Sequence, residues 1–456
     1  MPMKTVDVGA MLDEGPWSGY QKLLIFGTAL TIILDGVDNQ LLGNAVPALM
    51  KDWALPRAAF ATVLATGPFG MLFGAVLGGM LGDRVGRRTA LLGSVVSFAL
   101  VTFAVATADG LITLGILRFL AGLGLGGAMP NAAALASEYV PRRQRPFAVT
   151  LTIVCIPLGG ALAAQLSGLV LPRYGWRALF VVGGLLPVVL AIILMKVLPE
   201  SPRYLARHRK RWPELRALLR RLDYNLPDDV SFIEAGKDAK VQHASVRDLF
   251  VPYLRLSTIG LFGSFFFCLM ANYIGISWIV AMLTGAGFAQ VDASNSLAMW
   301  NYGGVAGAVL GALIIQRLGS RLTMLSMSAA AVAGALIMAA MRLDPQATLG
   351  MFVMFTVTGG LMNAVQTTMY ALAANVYPTE IRGTGVGTAV AVGRIGHVLS
   401  SYVGSWALET GGPPAFFTTW AVTMAIVFGS LALVRRHIQR TTSAGAPAGL
   451  GAPAGH

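Results

Sequence analysis

Charge is scarce in this chain. Of 456 residues, 12% are Asp, Glu, Lys or Arg, against about 25% in a soluble globular domain. A soluble enzyme needs a polar face on most of its helices, and few stretches here supply one. Cysteine is nearly absent. Cys155 and Cys268 each lie inside an apolar run, which gives neither a disulfide framework nor a metal-ligand spacing. No H-E-x-x-H, G-x-S-x-G or phosphate-cradling G-x-x-x-x-G-K-[ST] occurs, so the chain has no motif for ATP-driven pumping or for these hydrolytic chemistries. No enzymatic activity, cofactor or metal is expected. The N-terminal stretch MPMKTVDVGAMLDEGPWSGYQK carries acids and no early apolar core, so it is not read as a cleavable signal peptide.

What is abundant is apolar. Hydrophobic residues make up 55% of the chain, and there are 54 glycines, a residue more frequent in transmembrane helices than in soluble ones. A span needs roughly 20 mostly apolar residues. Twelve such runs are centred near residues 35, 70, 99, 123, 158, 187, 268, 306, 332, 361, 395 and 424. The pattern predicts an all-α integral membrane protein with five parts. These are an N-terminal segment, 1–21, a six-helix half, 22–198, a basic linker, 199–252, a second six-helix half, 253–436, and a disordered tail, 437–456. The linker contains RHRKRWPELRALLRRL, which reads as a basic amphipathic helix at the membrane surface.

The formal charge of +13 does not point to nucleic acid, because the basic residues sit in the connections between apolar runs. With both termini in the cytoplasm, that side collects Lys4, Lys22, Arg84, Arg87, Arg88, Arg142, Arg143, Arg145, the linker, Arg317, Arg321, Arg382, Arg435, Arg436 and Arg440. The other side keeps Lys51, Arg57, Arg173, Arg177 and Arg342. That asymmetry orients the chain as a multi-pass protein with both termini in the cytoplasm. A bacterial inner membrane and a monomeric state are separate expectations.

The sequence also repeats. GGMLGDRVGRR at 78–88 aligns with GALIIQRLGSR at 311–321, an offset of 233, and EYVPRRQR at 138–145 aligns with NVYPTEIR at 375–382, an offset of 237. Two halves of the same orientation follow, a transporter architecture with its site between the halves. Gly70, Gly74, Gly78 and Gly82 recur every four residues on the second span, and Gly303, Gly307 and Gly311 on the eighth. Small residues at that spacing form close helix contacts.

GMLGDRVGRR resembles the loop signature between the second and third helices of the major facilitator superfamily, with Gly79, Leu81, Asp83, Arg84, Gly86, Arg87 and Arg88 matching. PESPRYL at 199–205 is similar to a motif of sugar-porter-like members. DGVD in the first span together with GRIG in the eleventh looks most like the aromatic acid:proton symporter family. The resemblance implies the major facilitator fold and proton-coupled import of a small organic acid, most closely a benzoate- or hydroxybenzoate-type carboxylate. It also implies a gate latch of Asp83, Arg84, Arg87, Arg88, Glu138, Arg145 and Arg382. The chain departs from the pattern at His397, where an apolar residue is expected. Other readings are a symporter for another organic anion or a sugar, a drug–proton antiporter and a non-transporting sensor. The antiporter motif G-P-x-x-G-G is incomplete in CIPLGG at 155–160.

Asp35 and Asp38 in the first span, Arg118 in the fourth, and Arg394 and His397 in the eleventh are ionisable groups within apolar runs. A charge at a helix centre costs about 2.5–3.5 kcal/mol on the insertion scale. These groups must therefore face a cavity, pair with one another or, for Asp and His, lose their charge. At ~1.5 Å per residue, Asp35, Arg118 and Arg394 converge on one central layer. Asp35–Asp38 and Arg394–His397 are i, i+3 pairs, each predicted to share a helix face. Low dielectric favours a protonated carboxylate and a nearby Arg opposes that. Substrate that recruits the Arg then loads together with a proton. Arg394 is expected to receive a substrate carboxylate, with Asp35 or Asp38 carrying the proton, Arg118 as counter-charge, and His397 orienting substrate or joining the proton path. Asn272, Tyr273, Trp278, Trp300, Asn301, Asn363, Gln366 and Tyr370 are candidates for the remaining substrate contacts.

Overall fold

The computed structural model describes residues 5–224, 226–227, 230–233 and 245–440. A short strand β1 (Thr5–Asp7) leads into α1 (Val8–Glu14), and the first six-helix half is built from α2 (Gly19–Trp53), α3 (Arg57–Val85), α4 (Arg87–Val105), α5 (Leu111–Tyr139) and α6 (Arg145–Val197). The linker folds as α7 (Pro202–Arg207), α8 (Trp212–Arg221) and β2 (Ser231–Ile233). The second half comprises α9 (Arg255–Gly285), α10 (Gln290–Leu318), α11 (Ser320–Ala340), α12 (Thr348–Val376) and α13 (Arg382–Ala432).

Ten of these helices are long and apolar enough to cross a membrane. Two of the ten are double. α6 is broken at Gly175 (φ 75°), and α13 at Gly411 and at Gly412 (φ 63°). Each therefore crosses twice with no intervening loop, which restores the twelve crossings read from the sequence and puts both termini on one face, the terminal face.

Local chemistry sets the ends of these helices. Ser18 and Gln21 form a reciprocal capping box that starts α2. Gly86 (φ 106°) turns α3 into α4, and Gly319 (φ 80°) turns α10 into α11, at the same offset of 233 that aligns the repeated sequences. These left-handed positions favour glycine.

The repeat extends to packing. α3 lies on α5 as α10 lies on α12, α2 on α6 as α9 on α13, and α4 on α6 as α11 on α13. The spaced glycines make these approaches possible. A Cβ on Gly78 would strike the Cα of Gly127, and one on Gly303 would strike the Thr356 carbonyl. The halves meet through α2 with α9, α6 with α10 and α3 with α13.

The buried apolar side chains show which face is closed. One continuous cluster unites the second half with the far ends of the first half, including Leu41, Leu49, Phe60, Leu114 and Trp176. The near ends of the first half, including Leu24, Leu91 and Leu135, belong to a separate cluster. Apolar packing thus fuses the halves away from the termini and leaves them apart between mid-span and the terminal face, where Met129, Ala133, Gln366 and Tyr370 are only half-buried.

Three expectations change here. The basic helix does not lay its apolar side on lipid, because α8 buries Leu215, Leu218 and Leu219 against Val8, Leu12 and the near end of the first half. The N-terminal segment is part of the same unit. β1 pairs in parallel with β2, and Asp13 binds both Arg145 and Arg203. The start of the expected disordered tail is also docked. Ile438 N donates to Ser320 Oγ at 2.8 Å, and Ser320 N donates to the Ile438 carbonyl at 2.9 Å. The rest of that tail, 441–456, lies outside the described residues.

Candidate functional site

A chamber of about 290 Å3 lies between the halves at mid-span. From the first half, Asp35, Asn39 and Gln40 of α2 reach it, with Met71 and Met129. From the second come Tyr273 of α9, Asn301 of α10, Asn363, Gln366 and Tyr370 of α12, and Arg394 and His397 of α13.

Close backbone contacts present the charged residues. Gly36 sits against the Ile156 carbonyl of α6, and Gly159 against the Ile33 carbonyl, so α2 and α6 touch beside Asp35. In the other half Gly393 and Gly396 sit against Phe265 and Phe266 of α9, beside Arg394 and His397.

The two acids of DGVD separate. Three residues rotate a helix by about 300°, which leaves the side chains roughly 60° apart, and that offset is decisive here. Asp35 lines the chamber, is 5% exposed, and its Oδ1 has no hydrogen-bond partner. Asp38 turns into the first half and is fully buried. Arg118 Nη1 donates to Asp38 Oδ2 at 3.2 Å, and Thr102 Oγ1 donates to Asp38 Oδ1. The expected counter-charge role of Arg118 thus takes the form of a sealed pair that joins α2, α4 and α5. Arg118 lines only a small adjoining pocket, with Asn39, Tyr273 and His397.

Arg394 differs from Arg118. It lines the chamber and forms no ion pair or hydrogen bond with any described residue. One turn further on, His397 is stacked on Tyr273, with ring centroids 3.2 Å apart and planes inclined by 12°. Tyr370 stands edge-on to Phe265 at 5.3 Å. A guanidinium, two aromatic walls and an unpartnered carboxylate oxygen therefore share one cavity. That combination suits a ring bearing one negative charge.

Gln40 and Asn301 close the far end of the chamber. Each amide donates to the other's oxygen at 2.9 Å, and both are buried. Asn301 was a candidate substrate contact, and here its amide is held by Gln40 and by the Leu297 carbonyl. Asn363 lines the chamber while donating to the Gly359 carbonyl at 2.9 Å.

Three candidates lie outside the lining. Asn272 donates to the Cys268 carbonyl at 3.0 Å inside its own helix. Trp278 donates to the Ser401 carbonyl at 3.0 Å and packs on Gly404, while Trp300 stacks on Trp420 at 4.6 Å. All three are fully buried within the second half. Aromatic bulk serves a core as readily as a cavity wall, and here the core holds it.

At the terminal face, Arg87 binds Asp83 at 2.5 Å and approaches Glu138 at 3.8 Å. Ser201 Oγ donates to Glu138. Tyr204 Oη donates to the Arg84 carbonyl at 3.1 Å. Arg88 N donates to Glu200 at 2.8 Å, and the Arg88 guanidinium to the Met195 carbonyl at 2.6 Å. Arg145 holds the Ser137 carbonyl at 3.2 Å, besides Asp13. All of these contacts stay within the first half and its docked linker. Arg382 contacts Tyr377 and Thr379, within the second half. In this conformation the latch candidates thus bind partners inside their own half. Glu200, fully buried under Gly86, carries no signal in the sequence beyond its place in PESPRYL. The neutral side chains of Asn39, Gln40 and Thr102 carry none.

Comparison with known proteins agrees with this architecture. The chain is 32% identical over 438 residues to the "Gallate transporter" of Pseudomonas putida, covering 94% of this chain and 96% of the relative. It is 33% identical to the "4-hydroxybenzoate transporter PcaK" of the same organism, covering 90% and 91%. The fold matches the xylose transporter XylE from E. coli with a TM-score of 0.68 at 16% identity, over 90% of this chain and 97% of that one. The model of the Major Facilitator Superfamily matches residues 28–400 and 260–454. This chain is thus a multi-pass membrane transporter, not an enzyme, and belongs to the Major Facilitator Superfamily, beside relatives that carry aromatic acids.

Proposed function

We propose that this protein is a proton-coupled symporter that imports a small aromatic carboxylate of the benzoate or hydroxybenzoate type by alternating access. The observation that carries the reading is the placement of Asp35 and Arg394 on opposite halves of one chamber, with neither side chain in an ion pair with any described residue. An arriving carboxylate takes the Arg394 guanidinium in a bidentate fork. Its ring lies against Tyr273, His397 and Tyr370, and Asn363 and Gln366 meet polar substituents. Asp35 carries the proton. With Arg394 engaged by substrate, less positive charge opposes protonation of Asp35, so the two loads bind together.

Both termini lie in the cytoplasm in this reading, which follows the Lys and Arg asymmetry. The chamber then opens inward, and Gln40–Asn301 closes it from outside. The transporter works as a monomer in the inner membrane of a bacterium. Rocking to the outward-facing state brings Asp83, Arg84, Arg87, Arg88, Glu138, Arg145 and Arg382 to the closing face, where they act as its latch.

The test is reconstitution of the purified chain in liposomes with labelled benzoate, hydroxybenzoates, aliphatic acids and a sugar, with and without an inward acid gradient. Gradient-driven accumulation of the aromatic acids alone is expected. Accumulation of the sugar instead, or export driven by the gradient, would overturn the proposal.

A further inference from the structure

We propose that the cavity where the second crossing of α6 ends, at the terminal face, binds the headgroup of an anionic phospholipid. The cavity measures about 240 Å3 and lies among the start of α4, the end of α6 and α8. Three basic side chains line it: Arg88, Lys196 and Arg221.

Two carboxylates line it as well, and both are engaged. Glu200 is fully buried and accepts from Arg88 N at 2.8 Å, Ser201 N at 3.0 Å and Thr89 Oγ1 at 3.3 Å. Glu214 is paired with Arg211 at 2.8 Å. Lys196 and Arg221 form no ion pair with any described residue. Arg88 spends one guanidinium nitrogen on the Met195 carbonyl, and its buried Nε has no partner. Glu200 meets only neutral donors, so its charge offsets one of the three cations; with Glu214 held by Arg211, the lining keeps a positive excess among Arg88, Lys196 and Arg221.

Its position selects the occupant. Ile192, Ile193 and Met195 are each about half exposed and form an apolar stripe on α6 that leads to the cavity mouth. Acyl chains lying on that stripe put their phosphate level with Lys196, the last basic residue of α6. A free phosphate would use the cations and ignore the stripe, whereas a phospholipid uses both. Bound there, the headgroup bridges α4, α6 and α8, and so fastens the linker to the first half. This inference rests on membrane embedding and on local geometry, and is independent of the transported substrate.

The full-length protein in neutral detergent is titrated with phosphatidylglycerol, phosphatidylcholine or inorganic phosphate. Bound lipid is counted by native mass spectrometry and the melting temperature is followed. Phosphatidylglycerol is expected to bind saturably and to raise the melting temperature, while the other two do neither. In Lys196→Gln/Arg221→Gln its affinity falls about 25-fold, from roughly fivefold per basic residue at an anionic surface. Lys196→Arg/Arg221→Lys restores it, which separates a binding defect from misfolding. Arg209→Gln/Lys210→Gln removes the same charge outside the cavity and leaves affinity unchanged. Equal binding to the Lys196→Gln/Arg221→Gln variant, an equal loss in the Arg209→Gln/Lys210→Gln control, or equal stabilisation by inorganic phosphate would each overturn the assignment.

Discussion

Arg118 reaches Asp38 across 3.2 Å inside the first half, and neither group touches the chamber that Asp35 and Arg394 share. The membrane-buried charges thus divide into one pair already neutralised and one pair held apart. The neutralised pair ties three helices together. Removing one member leaves a buried charge without a partner, which typically costs about 3–5 kcal/mol. Asp38→Asn is therefore expected to lower the melting temperature of the purified protein sharply, and Asp38→Asn/Arg118→Gln to recover much of the loss. A single variant as stable as wild type would show that the pair has no structural role.

Arg394 forms no ion pair with any described residue, so replacing it is expected to cost little stability. Arg394→Gln is expected to melt near the wild-type temperature. Its KM for an aromatic acid should rise roughly tenfold or more, since hydrogen bonds to charged groups contribute about 1.5–3 kcal/mol. Arg394→Lys keeps the charge but loses the planar fork, and should fall in between. Parallel uptake and melting measurements separate the two effects.

Asp35→Asn mimics a carboxyl that is always protonated. Exchange of labelled for unlabelled substrate across the liposome membrane should persist, and accumulation driven by an acid gradient should vanish. A variant that still concentrates substrate would remove Asp35 from the coupling.

Gln40 and Asn301 hold the far end of the chamber shut through two reciprocal bonds of 2.9 Å. Gln40→Leu strands the Asn301 amide, a cost of about 1–3 kcal/mol to the closed state alone. The equilibrium should shift toward opening at that face. A cysteine at Ser277, which lines the small pocket beside the chamber, should then react about tenfold faster with a membrane-impermeant thiol reagent added from that side.

Gly36 stands between the two acids of DGVD because the Ile156 carbonyl leaves no room for a Cβ. Gly36→Ala is expected to push α2 from α6 and destabilise by about 1–3 kcal/mol, a common cost of overpacking. Gly287→Ala is a useful contrast for thermal unfolding. Space there is open and only its φ of 92° opposes the change.

The sequence made some of these features legible and hid others. The crossings were readable because lipid demands long apolar runs, and because the breaks at Gly175 and Gly411–Gly412 punctuate them. Asp35 and Arg394 stood out because a charge at mid-membrane is costly. Gln40, Asn39 and Thr102 did not, since a neutral polar group in a helix signals nothing until its partner on another helix is known. Trp278 and Trp300 misled for the opposite reason, as apolar bulk fits both a wall and a core. The separation of Asp38 from Asp35 depended on which neighbours flank α2, which spacing along one helix does not encode.

The uninterrupted returns of α6 and α13 leave almost nothing of the chain projecting on the far face. The longest connection described there is the short stretch between α11 and α12, whereas the terminal face carries β1, α1, α7, α8 and β2. Antibodies, proteases and inserted tags therefore find little to grip on one side of this molecule. The folded segments a partner could grip are gathered on the other.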